Sequence, residues 1–429
     1  MNARARPGSG YMLGLLLAIY TVGFIDRQVI NIVAEALRRD MALSNLQLGL
    51  LTGFGFTTLY TVLALPAAAL ADRHDRRRVI AGAVGLWSFF TLLCASAAGF
   101  WHLLLYRIGV GVGEAGCVAP SHALISDRFE DARRPRALAV YSLGVPLGTL
   151  LGLAIGGIVA DSFGWRMAFV VAGVPGIMLG LLAWATLPRT DRPHSPVVRE
   201  APVPLAARLV AFIRVPRTGW TTLGASAAVF VGAGQLAFYA SFYLETAAEP
   251  LARHGAAFGL GAQGMLGLAL GGIFGVGGMV GTLLGGYLCD RWGAGNRALV
   301  PMAAAACFLP ATLLTFLSGP LGLSLLGLVA TAVLVNLWFG PVFAIVQADA
   351  APGDRAMGSA CLLFFVNMIG FGAGPFVLGL AADILASAHG LGQGDALRLA
   401  AIGCAAIASP VAMFGYWRAW QTSARVATA

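Results

Sequence analysis

The chain contains no lysine: all 28 of its basic residues are arginine. Charge of either sign is scarce, at 11% of 429 residues, against roughly 25% in an average soluble protein. A soluble chain of this length needs polar side chains to cover its surface, so an ordinary cytosolic enzyme is excluded. Without lysine no G-x-x-x-x-G-K-[ST] phosphate loop exists, which disfavours transport powered directly by ATP on this chain. The six cysteines, Cys94, Cys117, Cys289, Cys307, Cys361 and Cys404, form no C-x-x-C pair, and none has histidine at metal-ligand spacing. All sit in or beside apolar runs and read as small packing residues, so no disulfide, metal or cofactor is expected. The apolar runs also lack a Ser/His/Asp constellation that would support a hydrolase, so the chain is not expected to be an enzyme.

What the chain has is apolar length, with 58% hydrophobic residues and 57 glycines. About 20 apolar residues cross a bilayer as a helix. Runs of that length cover 11–36, 46–70, 79–98, 101–124, 137–160 and 166–187, then 219–244, 260–288, 298–318, 320–347, 356–383 and 396–417. Membrane strands would instead be alternating segments of about 10 residues. The expected fold is therefore an all-α membrane protein of twelve transmembrane helices in two pseudo-symmetric six-helix bundles. Arg4 and Arg6 followed by an apolar run mimic a secretory signal. The run nevertheless continues past Asp26-Arg27 to Ala36 without an A-x-A-like site, which predicts an uncleaved first span.

The arginines set the orientation. With the N-terminus inside, 21 of the 28 fall in cytoplasmic loops and only Arg38, Arg39, Arg166, Arg253 and Arg398 fall outside. By the positive-inside rule both termini are cytoplasmic, in the inner membrane of a cell. The same loops account for the net charge of +9 without nucleic acid. A stretch rich in proline and arginine separates two halves, giving bundles at 1–188 and 219–429 and a cytoplasmic linker at 189–218. An amphipathic helix is expected around Leu205–Ile213.

The halves echo each other. ADRHDRRRV (71–79) stands between spans two and three, and GGYLCDRWGAGNR (285–297) between spans eight and nine. Asp72-Arg73 and Asp290-Arg291 occupy equivalent places in the two halves. Repeated halves are the mark of secondary transporters.

With these features the chain resembles the major facilitator superfamily over nearly its whole length. In that family the duplicated loop reads roughly G-x-x-x-D-R-x-G-R-R. The second copy fits through Gly286, Asp290, Arg291 and Gly293. The first has Ala68 for the leading glycine and Asp75 where glycine is usual; aspartate tolerates a left-handed turn, so the turn is expected to survive. The resemblance implies gating loops. Asp72 would lie against a helix N-terminus of its own bundle, while Arg73, Arg76, Arg77 and Arg291 bridge loops and lipid head groups. Three further features resemble the spinster subfamily: FIDRQ (24–28), RIGVGVGEAG (107–116), and the run from Pro120 to SDRF with its arginine-rich loop to Arg136. That resemblance implies a proton-linked carrier of lysophospholipids or sphingoid phosphates, a small amphiphilic anion, working as a monomer among membrane lipids.

Ions inside a span are costly and functional by default. Asp26, Arg27, Arg107 and Glu114 are such ions. At 1.5 Å per residue, Asp26 lies about 22 Å in from the cytoplasmic face and Arg107 about 9 Å below the outer one, so the two share a depth. Glu114 is two turns from Arg107 on the same face. The expected network pairs Arg107 with Asp26 or Glu114, the released carboxylate takes a proton, and Arg27 meets the substrate's anionic group. A permanent structural cluster is the rival reading. Possible lining residues are His122 in span four, Gln235, Tyr239 and Tyr243 in span seven, Asn336 and Trp338 in span ten, and Asn367 in span eleven. Each of these is equally readable as a packing or interhelical hydrogen-bonding residue. Glu245 and Asp383 close the outer ends of spans seven and eleven, as gate or as solvated ends. Glycines in spans four, five and eight let helices approach closely. Two alternatives stand beside the lipid carrier: an organic-anion or drug carrier of the same superfamily, and a non-transporting membrane receptor, which the duplicated loops disfavour.

Overall fold

The computed structural model describes residues 8–130, 133–189, 205–351 and 354–428. Among them are twelve helices long and apolar enough to cross a membrane. Spans one to six are Ser9–Met41, Asn45–Ala64, Arg76–Cys94, Phe100–Arg128, Arg134–Phe163 and Trp165–Thr186. Spans seven to twelve are Pro216–Thr246, Ala262–Trp292, Ala294–Leu317, Leu321–Asp349, Met357–His389 and Gln393–Ser423. The twelve helices fall on the twelve expected runs.

The helix ends follow from local chemistry. Span one outruns its apolar stretch because Glu35 pairs with Arg38 at 2.7 Å and Arg39 at 2.6 Å, closing its last turns. Span two begins at a capping box: Ser44 Oγ accepts from Gln47 N at 3.2 Å and Gln47 Oε1 accepts from Ser44 N at 3.0 Å. Span three starts on Asp75, whose Oδ1 accepts from Arg77 N at 3.1 Å. The expectation for Asp75 is corrected here: its φ is −59°, so it does not stand in for a left-handed glycine but caps a helix. Gly293, in the second copy of the loop, does have a positive φ of 78°.

Several spans are broken partway, and the breaks repeat. Span four divides into Phe100–Ala115 and Val118–Arg128; span ten divides into Leu321–Leu334 and Phe339–Asp349. Span five breaks at Leu143, and span eleven carries a π-helical stretch over Val366–Ala373. Each of these four spans holds a proline at or just past its irregular stretch, at Pro120, Pro341, Pro146 and Pro375, whereas span two breaks at Gly53 without one. Proline removes a backbone donor and clashes with the preceding turn.

The chain packs as two compact units. The first comprises the described residues of Met1–Leu43, Gly55–Pro196 and Ala248–Gly275. The second comprises those of Ser44–Phe54, Val197–Ala247 and Val276–Ala429. Each unit therefore includes the beginning of one span, eight or two, from the other half of the sequence. The first unit is cored by Leu16, Ile19, Ile80, Val84, Trp87 and Val110. The second is cored by Val229, Phe308, Val342, Val346, Leu362 and Tyr416. Large apolar side chains such as Met178, Leu181, Trp184, Leu283 and Ile407 remain exposed on the outside of the spans, a surface that suits hydrocarbon.

The linker region holds a helix at Leu205–Arg214, as the amphipathic pattern predicts; Phe212 stacks on Phe365 at 6.5 Å. Of the predicted linker, 190–204 lies outside the described residues, as do Arg4 and Arg6.

Candidate functional site

The four ions of spans one and four come together in the first unit, but not in the expected pairs. Asp26 and Arg27 are consecutive, so on a helix their side chains diverge by about 100°. Asp26 leaves toward span three. It is fully buried, and its Oδ2 accepts a 3.1 Å hydrogen bond from Thr91 Oγ1 while Oδ1 has no partner. Arg27 leaves toward spans two and four. Its Nε donates to Glu114 Oε2 at 2.5 Å, and Nη2 lies 2.5 Å from the same oxygen. Three rings enclose this guanidinium: Phe24 and Phe56 at 4.8 Å and Tyr60 at 4.4 Å from their centroids. Contacts of this kind contribute from about 0.5 kcal/mol at exposed sites to about 2 kcal/mol when desolvated.

Arg107 does not pair with either carboxylate. Its Nη1 donates a long 3.4 Å bond to the backbone carbonyl of Asp26, and its plane lies 5.3 Å from the Phe56 ring. Its Nε is buried without a partner. The expected pairing of Arg107 with Asp26 or Glu114 is thus replaced by Arg27 with Glu114. The reason is side-chain direction. Helical side chains lean toward their own N-terminus. Spans one and four run in opposite directions, so Arg27 and Glu114 lean toward each other and Arg107 leans away from Glu114. The shared depth of Asp26 and Arg107 does hold, since the two residues touch.

Glycines of span four seat this arrangement. A Cβ at Gly109 would sit 2.5 Å from the Phe90 ring, at Gly111 2.5 Å from Phe56 O, and at Gly113 2.6 Å from Trp87 N. Each glycine admits a neighbour that no other residue would. A small cavity of about 10 Å³, room for about one water, lies beside the ion pair, lined by Tyr20, Phe24, Arg27, Trp87, Glu114 and Cys117 among others. Glu114 Oε1 and Trp87 Nε1 are both buried and without partners. His122, expected near here, is exposed, with its ring 5.2 Å edge-on to Tyr141, which stacks on Tyr20 at 4.5 Å.

Sequence reading misses Thr91, Phe56, Tyr60 and Trp87. Phe56 and Tyr60 stand four apart, as neighbours on one helix face do, and their rings stack at 5.3 Å. Thr91 is a polar residue within an apolar run. Those signals exist in the sequence, but nothing in one dimension joins them to span one.

The second unit places its polar residues differently. Gln235 Nε2 donates to Thr312 Oγ1 at 3.0 Å, and Tyr239 Oη donates to Gln235 Oε1 at 2.7 Å. Tyr243 Oη bonds Ser324 Oγ at 2.7 Å. All are buried. Asn336 is half-buried and donates to Ala332 O at 2.9 Å, while Asn367 is half-buried within the π-helical stretch. Trp338 is buried in the core of this unit. Glu245 is exposed, and Asp383 accepts hydrogen bonds from the start of span two.

In the loops, buried Arg76 reaches Asp127 of the SDRF segment at 2.6 Å, and Arg77 lies 3.6 Å from Asp75. The side chains of Asp72 and Arg73 lie outside the described residues. Asp290 and Arg291 are exposed, and Arg291 Nη1 is 3.4 Å from Tyr287 Oη.

The sequence is 31% identical over 399 residues to an MFS-type efflux pump of Mycolicibacterium smegmatis, covering 91% of this chain and 89% of that one. It is 28% identical to human protein spinster homolog 1, covering 88% of this chain and 74% of that one. The fold matches the crystal structure of a bacterial homolog of the human lysosomal transporter spinster, captured inward-facing and unoccupied. The TM-score is 0.85 at 27% identity, covering 98% of this chain and 99% of that one. These relatives and this fold are those of membrane transporters and not of enzymes. The sequence model of the Major Facilitator Superfamily matches residues 16–375, more than three quarters of the chain, and the chain belongs to that family.

Proposed function

We propose that this transporter carries an amphiphilic anion, such as a lysolipid or sphingoid phosphate, by alternating access and takes up a proton with it. The observation that carries this reading is the balance of charge in the first unit. Two carboxylates, Asp26 and Glu114, and two guanidiniums, Arg27 and Arg107, are all buried or nearly so. Fully ionised, they sum to zero.

An uncompensated charge at mid-membrane costs at least about 2.5–3.5 kcal/mol. An anion that takes the Arg27 guanidinium from Glu114 leaves that carboxylate without its partner and the cluster one charge negative. One proton on a carboxylate restores the balance. Anion and proton therefore enter together, because either alone leaves a charge uncompensated. Arg27 suits the anion, since its planar fork matches carboxylate and phosphate oxygens. The rings of Phe24, Phe56 and Tyr60 then give the adjoining apolar part of an amphiphile a surface to lie on. The similarity to spinster homologs adds to the lipid reading. The termini are assigned to the cytoplasm of an inner membrane by the arginine bias.

A second reading, a drug or small organic-anion carrier, is favoured by the similarity to the mycobacterial efflux pump. Thermal shift in detergent separates the two, using lysophosphatidic acid, sphingosine phosphate and small aromatic acids. A shift with the small acids alone removes the lipid assignment. Coupling is tested by pH-driven uptake into proteoliposomes. If Glu114→Gln and Asp26→Asn both retain full pH-driven transport, the proton role is wrong.

A further inference from the structure

Two aspartates outside the ion cluster hold equivalent places in the two halves. The segment G-x-x-A-D occurs at Gly157–Asp161 near the end of span five and again at Gly379–Asp383 in span eleven. Each aspartate accepts backbone N–H groups at the start of another span. Asp161 Oδ2 accepts from Gly261 N at 2.6 Å, at the beginning of span eight. Asp383 Oδ1 accepts from Asn45 N at 3.0 Å and Oδ2 from Leu46 N at 2.8 Å, at the beginning of span two. Asn45 is fixed further by Asp383 Oδ1, which accepts from its side-chain Nδ2 at 2.9 Å, and by Gln393.

Below each cap the helices cross with backbone against backbone, and the register repeats. A Cβ at Gly267 would lie 2.5 Å from Leu153 O, and at Gly271 2.6 Å from Leu150 O. In the other half, a Cβ at Gly49 would strike Pro375 O and one at Gly53 would lie 2.5 Å from Gly372 O. The sequence offset that carries Asp72 onto Asp290 also carries Gly49 onto Gly267 and Gly53 onto Gly271. The offset that carries Asp161 onto Asp383 likewise carries Leu150 onto Gly372 and Leu153 onto Pro375. So one contact has been made twice: a G-x-x-x-G face laid on backbone carbonyls, closed by an aspartate on free helix N–H groups. The first N–H groups of a helix have no partner within it and carry its positive dipole end, so a carboxylate is the group that suits them.

Both caps lie at the ends of the spans opposite the Asp-Arg loops. Each joins a span of one sequence half to a span of the other. We propose that Asp161 and Asp383 are a matched pair of latches, holding the five–eight and eleven–two crossings closed at that end and released when the transporter changes access state. This rests on the alternating-access reading above. The glycine faces let the helices slide once the caps let go, because backbone lies directly on backbone there. The caps therefore set the position at rest.

Hydrogen exchange of the full-length protein in nanodiscs, without substrate, tests this. Asp161→Ala is expected to raise exchange about fivefold in the peptide around Gly261 and Asp383→Ala likewise around Asn45 and Leu46, the size expected for a lost helix cap. The double variant is expected to lower exchange in loops 71–79 and 285–297, as opening at one end closes the other. Asp161→Asn and Asp383→Asn keep one acceptor oxygen and should fall between, which covers an alanine variant that fails to fold. Unchanged exchange at both helix starts overturns the caps. Faster exchange there with unchanged loops overturns the latch and leaves passive fastenings. The measurement needs no transport: a wild-type protein that moves nothing in proteoliposomes yet shows the reciprocal pattern sinks the carrier reading and leaves the latch standing.

Discussion

The two units are built on one repeated plan, yet they use their polar residues in opposite ways. The first buries two acids and two guanidiniums close together, with Arg27 and Glu114 lining a small cavity. In this unit, Glu114 Oε1, Asp26 Oδ1 and Arg107 Nε are left without partners. The second buries neutral groups: Gln235 pairs with Tyr239 and Thr312, and Tyr243 with Ser324, while the hydroxyls of Ser226, Ser241, Ser409 and Tyr416 have no partner. Neutral pairs between membrane helices contribute little, averaging about 0.6 kcal/mol. Buried ions with unmade bonds cost stability. The difference teaches that duplication supplies the scaffold and its crossings, while the buried charge resides in one copy.

Five changes would break or sharpen that contrast. The largest effect is expected from Glu114→Gln. It leaves Arg27 buried without its counter-charge, a loss on the order of 3 kcal/mol, so uptake into proteoliposomes should fall about 100-fold. Uptake near the wild-type rate would mean that the ion pair is only structural. Thr91→Val comes next. Asp26 then loses its side-chain donor at a cost of about 1 kcal/mol, and uptake should fall about fivefold with little change in melting temperature. Equal losses in both measurements would make Thr91 a packing residue. Gln235→Leu is the counterpart in the second unit. It should cost about 0.6 kcal/mol of stability and leave uptake within about twofold; a large loss of uptake would move chemistry into the second unit. The smallest effect is expected at Gly272, where a Cβ meets nothing within 4 Å. Gly272→Ala should be neutral or stabilising by about 0.5–1 kcal/mol, whereas Gly271→Ala, against Leu150 O, should lower the melting temperature. Equal behaviour of the two would dissolve the crossing.

Much of this is legible in one dimension. Twelve apolar runs become twelve spans because a bilayer of fixed thickness demands about 20 apolar residues each time. The linker helix announces itself by its amphipathic face. The four ions stand out because charge is rare in such runs. Their partners do not. Face and spacing place Glu114 with Arg107, and the lean of side chains on antiparallel helices gives it to Arg27 instead. Asp75 reads as a turn residue in the loop motif, and its side chain caps span three. The candidates of span seven are visible as polar residues in an apolar run. Whether they face a cavity or each other depends on Thr312, which belongs to span nine.

The sequence by itself determined the class of molecule, the number of spans, the duplicated loops and the short list of buried ions. These follow from composition and period, which the solvent reads directly. Only the tertiary structure decided who pairs with whom. It put Thr91 on Asp26 and Glu114 on Arg27, and it set the caps of Asp161 and Asp383 on the starts of spans eight and two. Those contacts depend on helix rotation and close approach, which packing of glycine faces sets and which no local pattern encodes.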